Sequence, residues 1–145
     1  MPYGKRGRIV LDTNTIVSAL LGRDGKPARV LAEISKGNFI NYVSEDILRE
    51  VQEVLSRPKI VFKTSDHERQ YLVNFITYFS EIITPKKKLR VMTEDPGDNK
   101  ILECALEAKA HCIITGDKHL LKLRKYKTTA ILDSGEFMGR MAGKG

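Results

Sequence analysis

The chain has no tryptophan, only two cysteines and three histidines, and no apolar run approaches the roughly 20 residues that a membrane span requires. Its first segment, MPYGKRGR, lacks the apolar stretch of a signal peptide, so a cytoplasmic location with no membrane partner is expected. Cys104 and Cys112 are too few for a disulfide framework. Without a second cysteine pair or a His-x-x-x-His spacing there is also no thiolate zinc site, so both read as small buried apolar side chains. Internal repeats and low-complexity tracts are absent.

What remains is ordinary in bulk and unusual in placement. The 145 residues are 41% hydrophobic and 30% charged, which fits one soluble globular domain over residues 1–145 with a core large enough to need no staples. The net charge is +7. A basic balance suits a polyanionic partner such as nucleic acid, but alone it fits a solvated surface equally well. The positions of the acids decide between these.

Short apolar strands alternate with helical patterns. RIVLD at 8–12, FINYVS at 39–44, HCIITG at 111–116 and TAILD at 129–133 read as strands. Helices are expected after Asn14 up to Gly22, over PARVLAEIS with Gly37 beyond its end, and from Glu45 to Arg57 with Ser44 as N-cap. A longer helix is expected over 65–83, opened by the Ser65 and Glu68 capping-box spacing. PKKKLRV is a basic connection with room for a short strand after it; 95–110 is a turn entering a helix, and 118–126 a short helix. This alternation predicts an α/β fold with a mostly parallel central sheet covered on both faces.

In such sheets ligands sit outside the carboxyl ends of the strands, which is where Asp12 and Asp117 fall. Each could simply cap the following helix. In the helix from Glu45, the apolar stripe Ile47, Leu48, Val51, Val54 and Leu55 puts Glu50 on its border and Glu53 nearly opposite. Asp98 extends the buried face of Ile101, Leu102, Ala105 and Ala108 by one turn, though it too could be a cap; Asp95, across Pro96 and Gly97, reads as a turn residue close by. Two like charges about 4 Å apart repel by roughly 4 kcal/mol at an effective dielectric of 20. A convergence of Asp12, Glu50, Asp98 and Asp117 therefore calls for raised pKa values or for divalent cations, and hard oxygen ligands favour Mg²⁺ or Mn²⁺.

VLDTN at 10–14, VSEDILREVQEVL with Glu50, DPGDNKILECALEAKA with Asp98 and IITGDKHLL with Asp117 resemble, in this order, the motifs of the PIN domain, particularly its toxin-like branch. The resemblance runs from Ile9 to Asp133. It implies a Rossmann-like three-layer α/β/α sandwich and an endoribonuclease that cleaves RNA phosphodiester bonds with Mg²⁺ or Mn²⁺, with Asp12, Glu50, Asp98 and Asp117 as catalytic and metal-ligating acids. Asn14 and Thr115 match supporting polar positions. His119 stands where many relatives carry a further Asp, which puts two-metal occupancy in doubt. The resemblance also implies a small antitoxin partner, and the expected assembly is a homodimer or higher homo-oligomer.

On this reading none of the histidines is needed as a general base. The basic residues Lys86, Lys87, Lys88, Arg90, Lys122 and Arg124 become candidate RNA contacts, with the usual salt-dependent and sequence-blind contribution. Two rivals stand beside it. One is a phosphatase using Asp12 as nucleophile, against which Asn14 stands where a second Asp is expected. The other is a catalytically weak PIN-like module that binds RNA or protein, against which stands the presence of all four acids.

Overall fold

The structure is a computed structural model and describes residues 6–22 and 25–143. The first five residues of MPYGKRGR lie outside that range. The first strand, β1 (Gly7–Leu11), leads into α1 (Thr13–Leu21) and α2 (Lys26–Ser35); β2 (Phe39–Ser44) follows, then α3 (Glu45–Leu55), a short α4 (Pro58–Val61) and α5 (Asp66–Tyr78). The second half holds β3 (Ser80–Ile83), a single 3-10 turn at Pro96–Asp98, α6 (Asn99–Ala108), β4 (Cys112–Ile114), α7 (Lys118–Leu123), β5 (Lys125–Tyr126), β6 (Thr129–Leu132) and α8 (Ser134–Gly143).

The six strands form one sheet in the order β3-β2-β1-β4-β6-β5, parallel throughout except for the β5–β6 pair. Ile9, Val10 and Leu11 in β1 and Cys112, Ile113 and Ile114 in β4 are all buried, as central strands must be when both faces of the sheet are covered. The α/β architecture is therefore as expected. No helix among the described residues is long and apolar enough to cross a membrane.

Local signals fix several boundaries. Ser44 Oγ accepts from the N–H of Ile47 at 3.2 Å, and Ser65 Oγ from that of Glu68 at 3.0 Å, so both expected caps form. Past the end of α2, Gly37 takes φ +82° and its N–H reaches the carbonyl of Ile34, a left-handed stop that glycine adopts at little cost.

Three expectations fail. The helix opened at Ser65 ends at Tyr78, not at 83, and Ser80–Ile83 pairs in parallel with Asn41–Ser44. Adjacent β-branched Ile82 and Ile83, together with a hydrogen bond from Asn41 Nδ2 to Ser80 Oγ at 2.9 Å, complete a sheet edge that a helix would leave bare. No strand follows PKKKLRV; that backbone lies along α6 instead. The short helix expected over 118–126 ends at Leu123, and Lys125–Tyr126 forms the hairpin strand β5 instead; α4 and α8 were not anticipated.

Candidate metal centre

The strand order reverses between β1 and β4, and at this switch point both neighbouring connections leave from carboxyl ends of strands, opening a crevice between them. The crevice encloses about 950 Å³, with Asn14, Thr115, Asp117 and His119 among its lining residues. Asp12 and Asp117 act as helix caps, and Asp117 also lines the crevice. Asp12 Oδ1 accepts from the N–H of Thr15 at 2.9 Å, and Asp117 Oδ1 from those of His119 and Leu120 at 2.8 and 3.1 Å. Thr115 links the two: its hydroxyl donates to Asp12 Oδ2 and accepts from the Asp117 N–H at 2.9 Å. The supporting role expected of Thr115 thus has a definite geometry, while Asn14 is exposed in the first turn of α1.

Asp98 behaves differently. It occupies the N-cap position of α6 but makes no capping hydrogen bond, and its Oδ2 is buried without any partner. Burial is the chief cause that pushes its carboxyl up to about 7; the charges of Asp117 and Asp95, contact with the Asp117 side chain and the charge of Asp12 add to it. Asp12 is likewise raised, first by burial and then by Asp117, against the opposing hydrogen bonds from Thr115 and Thr15. The side chain in contact with Asp98 is another carboxylate, Asp117, and no donor reaches its buried Oδ2. Protonation of Asp98 or a bound cation would relieve that contact.

Oxygens of Asp95, Asp98 and Asp117 and a ring nitrogen of His119 all lie within 4.8 Å of one another. His119 also points Nε2 at Glu94 Oε2, 3.3 Å away. The substitution that reads as a loss in the sequence therefore keeps a ligating atom in the group, and Asp95 joins it from the turn. Glu50 is placed otherwise. It is half-buried and Glu53 is exposed, in keeping with their helical phase, but Glu50 is not among the residues that line the crevice. Its Oε1 accepts from the Thr13 hydroxyl and stands 3.3 Å from Lys100 Nζ. Asp12 and Glu50 thus flank the compact group without belonging to it. Lys86, Lys87, Lys88, Arg90, Lys122 and Arg124 are all exposed.

Carboxylates that bury each other's charge, with no cysteine ligand, form a site suited to a hard divalent cation, and the donorless Asp98 Oδ2 is the vacancy in the hydrogen bonding that such an ion fits. Fold and site together define a Rossmann-like α/β protein with, near its switch point, an acidic group that could hold a metal.

The chain belongs to the PIN domain family, which it matches over residues 8–119. PIN domains are in general nucleases, and so hydrolases. An uncharacterised protein of Methanocaldococcus jannaschii is 37% identical over 120 residues, spanning 81% of this chain and 75% of that one. The solved structure of VapBC2 from Rickettsia felis, bound to a DNA fragment from its promoter, matches with a TM-score of 0.61 over 86% of this chain and 96% of that chain. At 20% identity that likeness establishes the shared fold.

Proposed function

We propose that the protein is a Mg²⁺- or Mn²⁺-dependent endoribonuclease that hydrolyses RNA phosphodiester bonds. The observation that carries this reading is the buried, donorless Asp98 Oδ2 beside Asp117, within a group of four potential ligands. Asp98 and Asp117 would hold the ion, with Asp12 and Glu50 at its flank and Asp95 and His119 within reach. When bound, such an ion lowers the pKa of water and neutralises charge that develops on the phosphate. The chain's part is preorganisation. Thr115 and the Thr15 N–H lock the Asp12 carboxylate, and the α7 N–H groups lock Asp117, so neither rotates away when charge changes nearby.

The test uses Asp12→Asn and Asp117→Asn, which keep volume and capping ability while removing charge. Loss of an outer partner of a metal ligand costs 10–100-fold, so Asp12→Asn, at the flank, should lower Mn²⁺-dependent RNA cleavage by at least about 10-fold, and Asp117→Asn, a ligand, by about 100-fold or more. Glu53→Gln should cleave at the parental rate. Parental activity in either Asp variant removes the assignment.

The Lys100 ammonium on Glu50 favours a second reading, a catalytically weak PIN-like module that binds RNA or protein. RNA binding with no cleavage in millimolar Mn²⁺ would establish it. The likeness to a toxin–antitoxin complex supports a further part of the proposal: this chain is the toxin of a pair, neutralised by a small antitoxin and assembled as a homodimer or higher homo-oligomer. Growth arrest on expression, relieved by co-expression of the neighbouring reading frame, is the expected outcome; arrest that no neighbour relieves contradicts it.

A further inference from the structure

The backbone from residue 84 to residue 94 belongs to no strand or helix, yet one face of α6 fastens it at intervals of four residues. Glu107 Oε1 accepts from the N–H of Lys86 at 3.1 Å and Glu103 Oε2 from that of Leu89 at 2.9 Å. Asn99 Oδ1 accepts from the N–H groups of Val91 and Met92 at 3.0 and 2.8 Å, while its Nδ2 donates to the carbonyls of Met92 and Pro96, both at 3.1 Å. This ladder explains why Glu103 and Asn99 are buried. It also fixes a strap, running antiparallel to α6, whose far end is the turn that bears Asp95 and Asp98.

Between the strap and the start of α6 opens a cleft of about 600 Å³, lined by Lys88, Arg90, Lys100 and Met92 and closed on one side by Pro96 and Gly97 of that same turn. Two carboxylates share its wall: Glu103 accepts from the Leu89 N–H, and Asp46 pairs with Arg49 at 2.8 Å. Among the described residues, Lys88 and Arg90 make no ion pair. The cleft therefore presents two cations outside any ion pair and a third, Lys100, shared with Glu50, against the two carboxylates of its wall. Lys86 and Lys87, further along the strap, do not line it.

We propose that this cleft is the subsite for a phosphate of single-stranded RNA adjoining the bond to be cut, held by Arg90, Lys88 and Lys100; the proposal rests on the ribonuclease reading. A guanidinium and two ammonium groups in a concave recess match a phosphate diester. The recess admits the backbone of one strand, whereas a duplex presents a convex surface. It holds no aromatic side chain for base stacking, so its contribution is independent of sequence. Pro96 and Gly97, which line the cleft, belong to the same turn as Asp98, so the cleft adjoins the acidic group along the chain.

The test measures binding, not cleavage. In an Asp117→Asn background with chelator present, anisotropy of a labelled short single-stranded RNA is followed as salt is raised. Each phosphate contact contributes a slope of about −0.7 in log affinity against log salt. Lys88→Gln with Arg90→Gln should flatten the slope by roughly 1.4, and Lys100→Gln should flatten it further, while Lys59→Gln on α4 leaves it unchanged. The replaced strap side chains are exposed, so melting temperatures, taken alongside, should stay parental. If the background protein binds RNA but the double substitution leaves the slope unaltered, the cleft assignment alone is overturned. If it binds no RNA, the ribonuclease reading falls and the cleft with it.

Discussion

Replacing Asp98 by Asn tests the centre through stability, independently of any substrate. Burial and the neighbouring carboxylates carry the Asp98 carboxyl from its ordinary 3.8 to about 7. Between those values the native protein retains a proton that the unfolded chain has released. Stability from this group is therefore full below about pH 4, declines as pH rises towards 7, and stays low above it. At 1.36 kcal/mol per pH unit, the ceiling on the loss is roughly 4 kcal/mol, and because Asp98 is only half-buried, solvent screening reduces the realised share to about half of that. Asn carries no charge and offers the donor that Asp117 lacks in the parent, and no capping hydrogen bond is lost because Asp98 makes none. At pH 8 with chelator the variant should melt above the parent; a realised gain of about 2 kcal/mol corresponds to roughly 4–8 °C for a chain of this size. At pH 4 the difference should vanish. Millimolar Mn²⁺ should then stabilise the parent by roughly 2.7 kcal/mol at a hundredfold excess over Kd, and the variant by much less. Differential scanning calorimetry at both pH values, with and without Mn²⁺, reads all four cases. A variant that melts below the parent at pH 8 in chelator, or that shows the same Mn²⁺ shift, would refute the reasoning.

Two other perturbations follow from the same geometry. His111 Nδ1 accepts the Arg8 N–H at 3.0 Å, and burial together with the Arg8 charge lowers its pKa from 6.5. The unfolded chain then takes up the proton first, so this contribution is complete above pH 6.5 and shrinks as pH falls below it; His111→Asn keeps an acceptor without the titration and should flatten that part of a urea-derived stability curve, whereas parallel curves would discount the group. On the strap, Glu103→Leu leaves the Leu89 N–H without an acceptor and should cost about 1–3 kcal/mol with faster amide exchange at Leu89, while Glu103→Gln retains the bond; unchanged exchange in the Leu variant would mean that the ladder does not hold the strap.

How much of this was legible depends on the range of the interactions. Asp12 and Asp117 could be read because a buried apolar run must end where the chain leaves the sheet, and parallel strands all end on one side. The phase of α3 placed Glu50 and Glu53 correctly for the same kind of reason, since helical periodicity is local. What Glu50 meets, Lys100 on another helix, has no local signature. The edge strand β3 was hidden because its residues continue an acceptable helical pattern, and only β2 decides otherwise. The strap was hidden more deeply. Its backbone N–H groups are satisfied by side chains from a helix that follows it in sequence, so neither segment shows a pattern alone. The spacing Asp95–Asp98 across a Pro-Gly turn, and Asp117–His119 across one residue, was the available signal for the compact group of four ligands.

The three aspartates also show why capping and ligation are not alternatives. A cap uses one carboxylate oxygen to accept from N–H groups at a helix start and leaves the other free, which is how Asp12 gives Oδ1 to Thr15 and Oδ2 to Thr115, and how Asp117 holds α7 with Oδ1 alone. Capping aims these side chains and adds the positive end of a helix behind them, which lowers the cost of holding negative charge there. Asp98 stands at a helix start without using it. The chain thereby keeps two carboxylates oriented by helices and a third whose charge no protein donor compensates. Neutralising the third should gain the most stability in the absence of metal, so Asp98→Asn and Asp117→Asn should shift the metal-free melting temperature in different degrees, with the larger rise at Asp98. Equal rises would mean that the group shares its charge evenly and that Asp98 holds no special place in it.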